Sequence, residues 1–230
     1  MRRVILLVVA VAVLVVVGVV GWYLFIRKEP DRFTLSTPAS TQTNKSAAQL
    51  AGTWRPAIPD SQAGYRVREK LASLPAQSDA VGRTSAITGE VTLEAAGDTL
   101  RASAASFEVD VTKLESNRSQ RDNRIRSSGL ESNRFPTATF KATSPIDVPA
   151  NALDGGAAKV QATGDLTIHG QTKPVTLDLD VQLNGARIEL VGNYKFPFSQ
   201  FGMTPPSIGG FVSVEPDATL ELHLFLAKAA

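Results

Sequence analysis

The sequence predicts an all-β domain, an antiparallel sandwich or closed barrel of about eight strands with one short helix, preceded by one N-terminal transmembrane helix. Three observations predict it. Apolar and polar residues alternate through most of the chain after residue 53, turn signals part the alternating runs, and residues 4–26 hold no charge. A period of two is that of a strand with one buried face. Several such strands in succession, separated by turns, make a sandwich or a barrel.

The N-terminal run comes first. A bilayer core takes roughly 20 apolar residues as a helix, and residues 4–26 are long enough to span it. A secretory signal has a shorter apolar core and a small-residue cleavage site. This run instead ends in Trp22-Tyr23-Leu24-Phe25-Ile26 and then Arg27-Lys28, with no Ala-x-Ala after it. Aromatics and cations at the end of a span suit the membrane interface. Residues 1–26 therefore read as an uncleaved signal anchor. Arg2 and Arg3 compete with Arg27, Lys28 and Arg32, so charge does not fix the orientation. Long C-terminal domains cross largely regardless of charge, and the expected location is the cell membrane, single-pass, with the C-terminal domain extracytoplasmic. Residues 27–52 are rich in Ser, Thr, Pro, Ala, Gln and Asn. They read as a flexible linker with a mean span of roughly 28 Å, which leaves 53–230 as the folded domain.

The strands follow in order. Residues 65–70 form a short candidate. Ile87, Val91 and Leu93 alternate with Thr88, Glu90, Thr92 and Glu94, and Phe107, Val109 and Val111 alternate with Glu108 and Asp110. The period then breaks. Ser119-Gln120-Arg121-Asp122 has the form of a capping box, with Ser119 at the N-cap, and predicts a helix over about 120–130 that ends near Gly129. Pro136 returns the chain to an extended path. Residues 137–142 and 160–169 are further short candidates. In 175–184 the apolar set is Val175, Leu177, Leu179, Val181 and Leu183, followed by the hairpin signal Asn184-Gly185. The return strand sets Ile188, Leu190, Gly192, Tyr194 and Phe196 on one face. Leu220, Leu222, Leu224 and Leu226 form one face of the last strand.

Composition excludes several functions. Removing Arg2, Arg3, Arg27, Lys28 and Glu29 from 24 basic and 22 acidic residues leaves 20 against 21, so the domain is near-neutral and no nucleic-acid partner is expected. With no cysteine there is no disulfide, thiol nucleophile or lipidated N-terminal Cys. The two histidines, His169 and His223, lie far apart in sequence, and no metal site or cofactor is expected. His169 reads as a turn or edge residue and His223 as solvent-facing. Catalytic motifs such as a nucleophile elbow, a phosphate loop or His-Glu-x-x-His are missing, and catalysis is not expected.

Two clusters remain. Arg118, Arg121, Arg124, Arg126 and Arg134 fall close together, and the first three, spaced by three, share a helix face. Arg121 and Arg124 are the candidates for a phosphate headgroup. The other reading is a solvated helix locked to the domain by ion pairs. Tyr194, Phe196, Phe198, Phe201 and Phe211 either plug a barrel end or line the mouth of a cavity. An eight-stranded barrel can be filled by side chains or hold one small ligand.

Three blocks then carry a resemblance: Arg121-Asp122-Asn123-Arg124-Ile125-Arg126, Phe135-Pro136-Thr137-Ala138-Thr139-Phe140, and Gly164-Asp165-Leu166-Thr167-Ile168-His169-Gly170-Gln171-Thr172-Lys173-Pro174-Val175. In order and spacing they resemble the YceI-like family over residues 54–228. Trp54, Tyr65-Arg66-Val67-Arg68-Glu69 and Gly82-Arg83-Thr84 are most similar to actinobacterial, membrane-anchored members. The chain departs from the family at Arg124, where a His is common, and at Gly129-Leu130-Glu131, where Phe-Phe-Asp is common.

The resemblance implies an eight-stranded lipocalin-like barrel of the cell envelope that holds a polyisoprenoid-type amphiphile. The expected ligand-binding residues are Phe107, Val109, Phe140, Leu166, Ile168, Val175, Leu177, Leu179, Ile188, Leu190 and Phe196. The expected partners are an isoprenoid or other long-chain lipid, the membrane through the N-terminal helix, and a second copy in a homodimer. The alternative is an envelope interaction or stress-response protein with a filled barrel that binds no lipid.

Overall fold

A computed structural model describes residues 13–16, 29–38, 45–72, 77–97, 99–208, 210 and 212–229. Of the expected membrane span only residues 13–16 are described, and they are helical; the remainder lies outside the described residues. Among the described residues, no helix is long and apolar enough to cross a membrane. The chain divides into two compact units, Met1–Asp31 and Arg32–Ala230.

The second unit is a closed barrel. Its elements run α1 (Ala47–Leu50), β1 (Gly52–Pro56), β2 (Gln62–Leu71), β3 (Ser78–Thr84), β4 (Ile87–Ala96), β5 (Thr99–Asp110) and β6 (Glu115–Ser116). Then come α2 (Ser119–Ser127), β7 (Thr137–Ala142), β8 (Ile146–Val148), β9 (Ala158–Ile168), β10 (Gln171–Asn184), β11 (Arg187–Pro197), β12 (Ser207–Ile208) and β13 (Val212–Lys228). The ring is β1-β4-β5-β7-β9-β10-β11-β13, and antiparallel pairing of Trp54 with Lys228 closes β13 onto β1. These eight strands resolve the choice between sandwich and barrel. Closure leaves the ring without the unpaired edges that an open sheet exposes. β2 and β3 continue the wall beyond β1 and β4, with β2 on the first half of β13.

The long strands carry Pro where a ladder tolerates it. Across Pro216 the β13–β2 register shifts between Val214 and Ala218, a bulge that accommodates a residue with no N–H to donate. The β10–β11 hairpin differs from its expected turn. Asn184 still pairs with Arg187, so the loop is Gly185-Ala186. φ is positive at Gly185 (+62°) and at no other loop residue, the pattern of a II′ turn with glycine first. Asn184 is thereby freed for a side-chain hydrogen bond within the outer wall. At the β9–β10 turn, His169 (φ +53°) and Gly170 (φ +69°) are both left-handed, as a type I′ hairpin requires.

α2 forms where expected, but its cap is different. The N-cap is Arg118, without a side-chain cap, and Ser119 is the first helical residue. Asp122 turns away from the helix end. Buried, it accepts from the Ser116 N–H (3.0 Å) and the Ser116 hydroxyl (2.6 Å), which ties α2 to β6.

Residues 27–52, whose composition reads as a tether, contain two built segments. Ser46 and Gln49 form a complete capping box on α1, and Leu50 is buried, with its carbonyl accepting from Trp54 Nε1 at 2.8 Å. Residues 32–38 lie against the outer wall of the barrel. Gln182 Nε2 donates to the Ser36 carbonyl at 2.9 Å, and Phe33 lies against Arg83 and His223. This strap corrects the expectation for His223. The ring does point outward, but Phe33 and Phe225 cover it and only 16% of its side chain is exposed. Glu189 and Glu221, both on the outward face, are buried as well. Glu221 accepts from Arg66, Arg83 and Arg32.

Candidate functional site

The inward faces do not fill the barrel. Strand alternation sends every second side chain to the interior, and the closed ring surrounds a cavity of about 160 Å³. In its wall Thr139 and Gln182 are the only polar residues among those described. Leu50 of α1 forms part of this wall, so the short helix closes the chamber with an apolar side chain. An apolar void with so few polar partners is a poor place for water and a good one for hydrocarbon.

A second chamber of about 260 Å³ adjoins the first, and the two share Ala63, Val109, Ala138 and Leu220 in their walls. Its outer side is built differently. α2 contributes Gln120, Arg121, Arg124 and Ile125, its N-cap contributes Arg118, and β2 contributes Tyr65 and Glu69. Arg118 and Arg124 are exposed, so this chamber reaches the surface under α2. The molecule thus offers an apolar interior with one polar, cationic lip.

Most of the expected ligand-binding residues lie on these walls. Phe107, Val109, Phe140, Leu166, Leu177, Leu179, Ile188 and Leu190 line the inner chamber. Val109 also borders the outer one, together with Ile168 and Phe196. Val175 is buried but borders neither. The late aromatics divide between the two expected roles. Phe196 and Phe198 line the outer chamber, whereas Phe201 is fully buried behind Phe196, edge to face at 5.1 Å. Phe211 lies outside the described residues.

The two headgroup candidates differ in state. Arg121 donates to Glu69 Oε1 at 2.6 Å and to Asn117 Oδ1 at 2.8 Å. Arg124 points no hydrogen bond or ion pair at a described residue. Leu50, Ala162 and Leu183 are also wall residues. Leu50 carried no periodic signal, while Ala162 and Leu183 belonged to alternating runs whose inward apolar side chains, Val175 excepted, border one chamber or the other. Among the described residues, no three His, Asp or Glu side chains converge as metal ligands.

A closed eight-stranded barrel around an apolar chamber, with a cationic lip among the described residues, has the architecture of barrels with room for one small ligand. The YceI-like domain model matches residues 59–226, and the chain belongs to that family. It is 30% identical over 141 residues to a UPF0312 protein of Vibrio cholerae serotype O1, covering 58% of this chain and 70% of the relative. A UPF0312 protein of Shewanella denitrificans is 31% identical over 132 residues, 54% of this chain and 63% of the relative. In fold, the chain is similar to BcnA of Burkholderia cenocepacia (TM-score 0.56, 21% identity, 75% of this chain and 99% of that one). It is equally similar to a polyisoprenoid binding domain from Saccharophagus degradans implicated in plant cell wall breakdown (TM-score 0.56, 14% identity, 76% and 98%).

Proposed function

We propose that the protein holds the apolar chain of a polyisoprenoid-type or other long-chain amphiphile inside the barrel, with the polar end at the α2 lip and without catalysis. The observation that carries this reading is the inner chamber, walled almost wholly by aliphatic and aromatic side chains and separated from a second chamber with exposed Arg118 and Arg124 on its rim only by shared wall residues. Each methylene moved from water into such a site contributes about 0.8 kcal/mol, so a few isoprene units suffice for useful affinity. The fold-level similarity to a polyisoprenoid binding domain supports the same ligand class. In this reading the protein acts at the extracytoplasmic face of the cell membrane, anchored by residues 4–26, as an anchored member of the actinobacterial type. The uncharged run and its aromatic-cationic end support the anchor.

The test is native mass spectrometry of the full chain released gently from nanodiscs. The expected result is a co-purifying lipid, or stoichiometric uptake of an added prenol. A barrel that arrives empty and takes up no prenol would instead favour the envelope interaction role. For the anchor, protease added to intact spheroplasts should remove the barrel; protection from outside would reverse the topology.

A further inference from the structure

The lip of the outer chamber says more about the head of the ligand than the apolar walls do. α2 and its N-cap set three guanidinium groups there, Arg118, Arg121 and Arg124, and they are not equivalent. Arg121 reaches Glu69 at 2.6 Å, and the two side chains are only 12% and 8% exposed. Burial of that kind demands a partner, because removing either charge strands the other in a low-dielectric site. The pair is neutral and holds α2 against β2. Glu69 is also the only carboxylate in the chamber wall among the described residues, and it is engaged with Arg121.

Arg118 and Arg124 flank this pair, line the same chamber and are exposed. Neither side chain meets a carboxylate among the described residues. Every other described arginine meets a carboxylate except Arg126, which does not line the chamber and donates to the Thr112 carbonyl and to Asn123 Oδ1. Arg66 and Arg83 meet Glu221, Arg68 meets Asp79, Arg55 meets Glu90, Arg101 meets Asp147 and Arg187 meets Asp60. Two uncompensated positive charges thus stand where an apolar shaft meets water. A neutral alcohol would leave both without a counter-charge. A guanidinium donates paired, charge-assisted hydrogen bonds to phosphate oxygens, and a phosphate monoester has three terminal oxygens to share between two forks.

We propose that Arg118 and Arg124 bind the phosphate head of a lipid whose tail occupies the two chambers, and that Arg121, held by Glu69, is a positioning residue rather than a ligand contact. The assignment rests on the lipid-holding reading and adds the chemistry of the head.

The experiment compares farnesyl phosphate, farnesol and inorganic phosphate by titration calorimetry with the full chain in nanodiscs. Farnesyl phosphate should bind roughly tenfold or more tightly than farnesol. The Arg118→Ala/Arg124→Ala double variant should lose that advantage and keep its farnesol affinity, and inorganic phosphate alone should not saturate the site. Raising the salt should shrink the phosphate advantage and leave farnesol unchanged, a second readout that needs no variant. Equal affinity for phosphate and alcohol overturns the head assignment alone. So does an advantage that survives the double variant, or saturable binding of free phosphate. If neither farnesyl compound binds, the lipid-holding reading itself falls.

Discussion

Ser36 donates both its backbone N–H (2.8 Å) and its hydroxyl (2.9 Å) to one oxygen of Glu189, a carboxylate with no solvent exposure on the outer wall of the barrel. His223 Nε2 adds a third bond to that oxygen at 2.7 Å, while Gln182 and Asn184 donate to the other at 2.8 and 3.0 Å. A carboxylate only accepts, so His223 carries its proton on Nε2 here. The strap 32–38 is therefore fastened to the barrel by a buried anion on β11, with donors from β10, from β13 and from the strap itself.

This anion should make stability depend on acid. Burial alone would raise the pKa of Glu189; the hydrogen bonds from Asn184, Ser36, Gln182 and His223 outweigh it and hold the carboxyl at about 2 instead of 4.5. A depressed pKa means stability that is fully present above the unfolded value and lost as pH falls through the folded one. The window is pH 4.5 down to about 2, and the contribution at neutral pH is about 3 kcal/mol. Urea denaturation of wild type and Glu189→Gln at pH 7, 4 and 3 should show a stability gap that is widest at pH 7 and narrows with acid. A gap independent of pH would remove Glu189 from this role.

Phe33 should hold the strap in place from the other side. Its ring lies 3.8 Å from the guanidinium carbon of Arg83 and 5.3 Å, centroid to centroid, from the His223 ring. Half-buried stacking and cation–π contact are each worth about 1 kcal/mol. Phe33→Ala should cost about 1–2 kcal/mol in all and speed hydrogen exchange of the Ser36 amide while exchange in β10 stays unchanged. Unaltered exchange at Ser36 would show that the strap needs no aromatic anchor.

The strap also marks where the sequence stops being legible. The period of two placed Leu177, Leu179, Ile188 and Leu190 on the inner wall, because a strand with one wet face writes its burial in every second residue. The same rule assigned His223 to solvent, and it sets Glu189 and Glu221 on the same outward face, yet all three are covered. It knows which face a residue takes but not whether a distant segment covers that face. Residues 32–38 hold few large apolar groups, and their hold on the barrel is polar and reaches across some 150 positions of sequence. No local signal encodes such contacts. α1 escaped for a related reason: it is one turn long, and its Ser46–Gln49 capping box sits in a stretch whose composition reads as linker. The Arg spacing was visible, but which arginine Glu69 neutralises depends on β2 lying beside α2. The proposal accordingly places the headgroup on Arg118 and Arg124, because Glu69 engages Arg121.

Filling the inner chamber should abolish ligand uptake without unfolding the barrel. Ala162 of β9 is buried and lines that chamber. In Ala162→Phe a ring would enter the void, where part of the usual overpacking cost of about 1–3 kcal/mol is offset by new contacts. Prenol binding should fall by about tenfold or more, with the far-UV circular dichroism spectrum retained. Undiminished binding by a folded variant would place the ligand outside the inner chamber.

Gly164 tests how closely the wall beside Phe140 is packed. A Cβ at this position would stand 2.4 Å from the Lys141 carbonyl oxygen and 2.7 Å from Phe140 Cζ, across the β7–β9 pairing of Ala142 with Gly164. The Phe140 ring therefore lies directly over a residue without a side chain, an arrangement that fills the gap glycine leaves in a sheet. Gly164→Ala should destabilise the barrel by about 1–3 kcal/mol. Of the two obstacles, the ring can rotate away but the carbonyl belongs to a paired strand. Adding Phe140→Ala to Gly164→Ala should thus fail to restore wild-type stability, since it clears the ring, leaves the oxygen in place and opens a cavity of its own. Thermal denaturation of the two single variants and the double variant reads this directly. Recovery to the wild-type midpoint in the double variant would mean that the aromatic ring, and not the backbone of β7, is what requires glycine at this position.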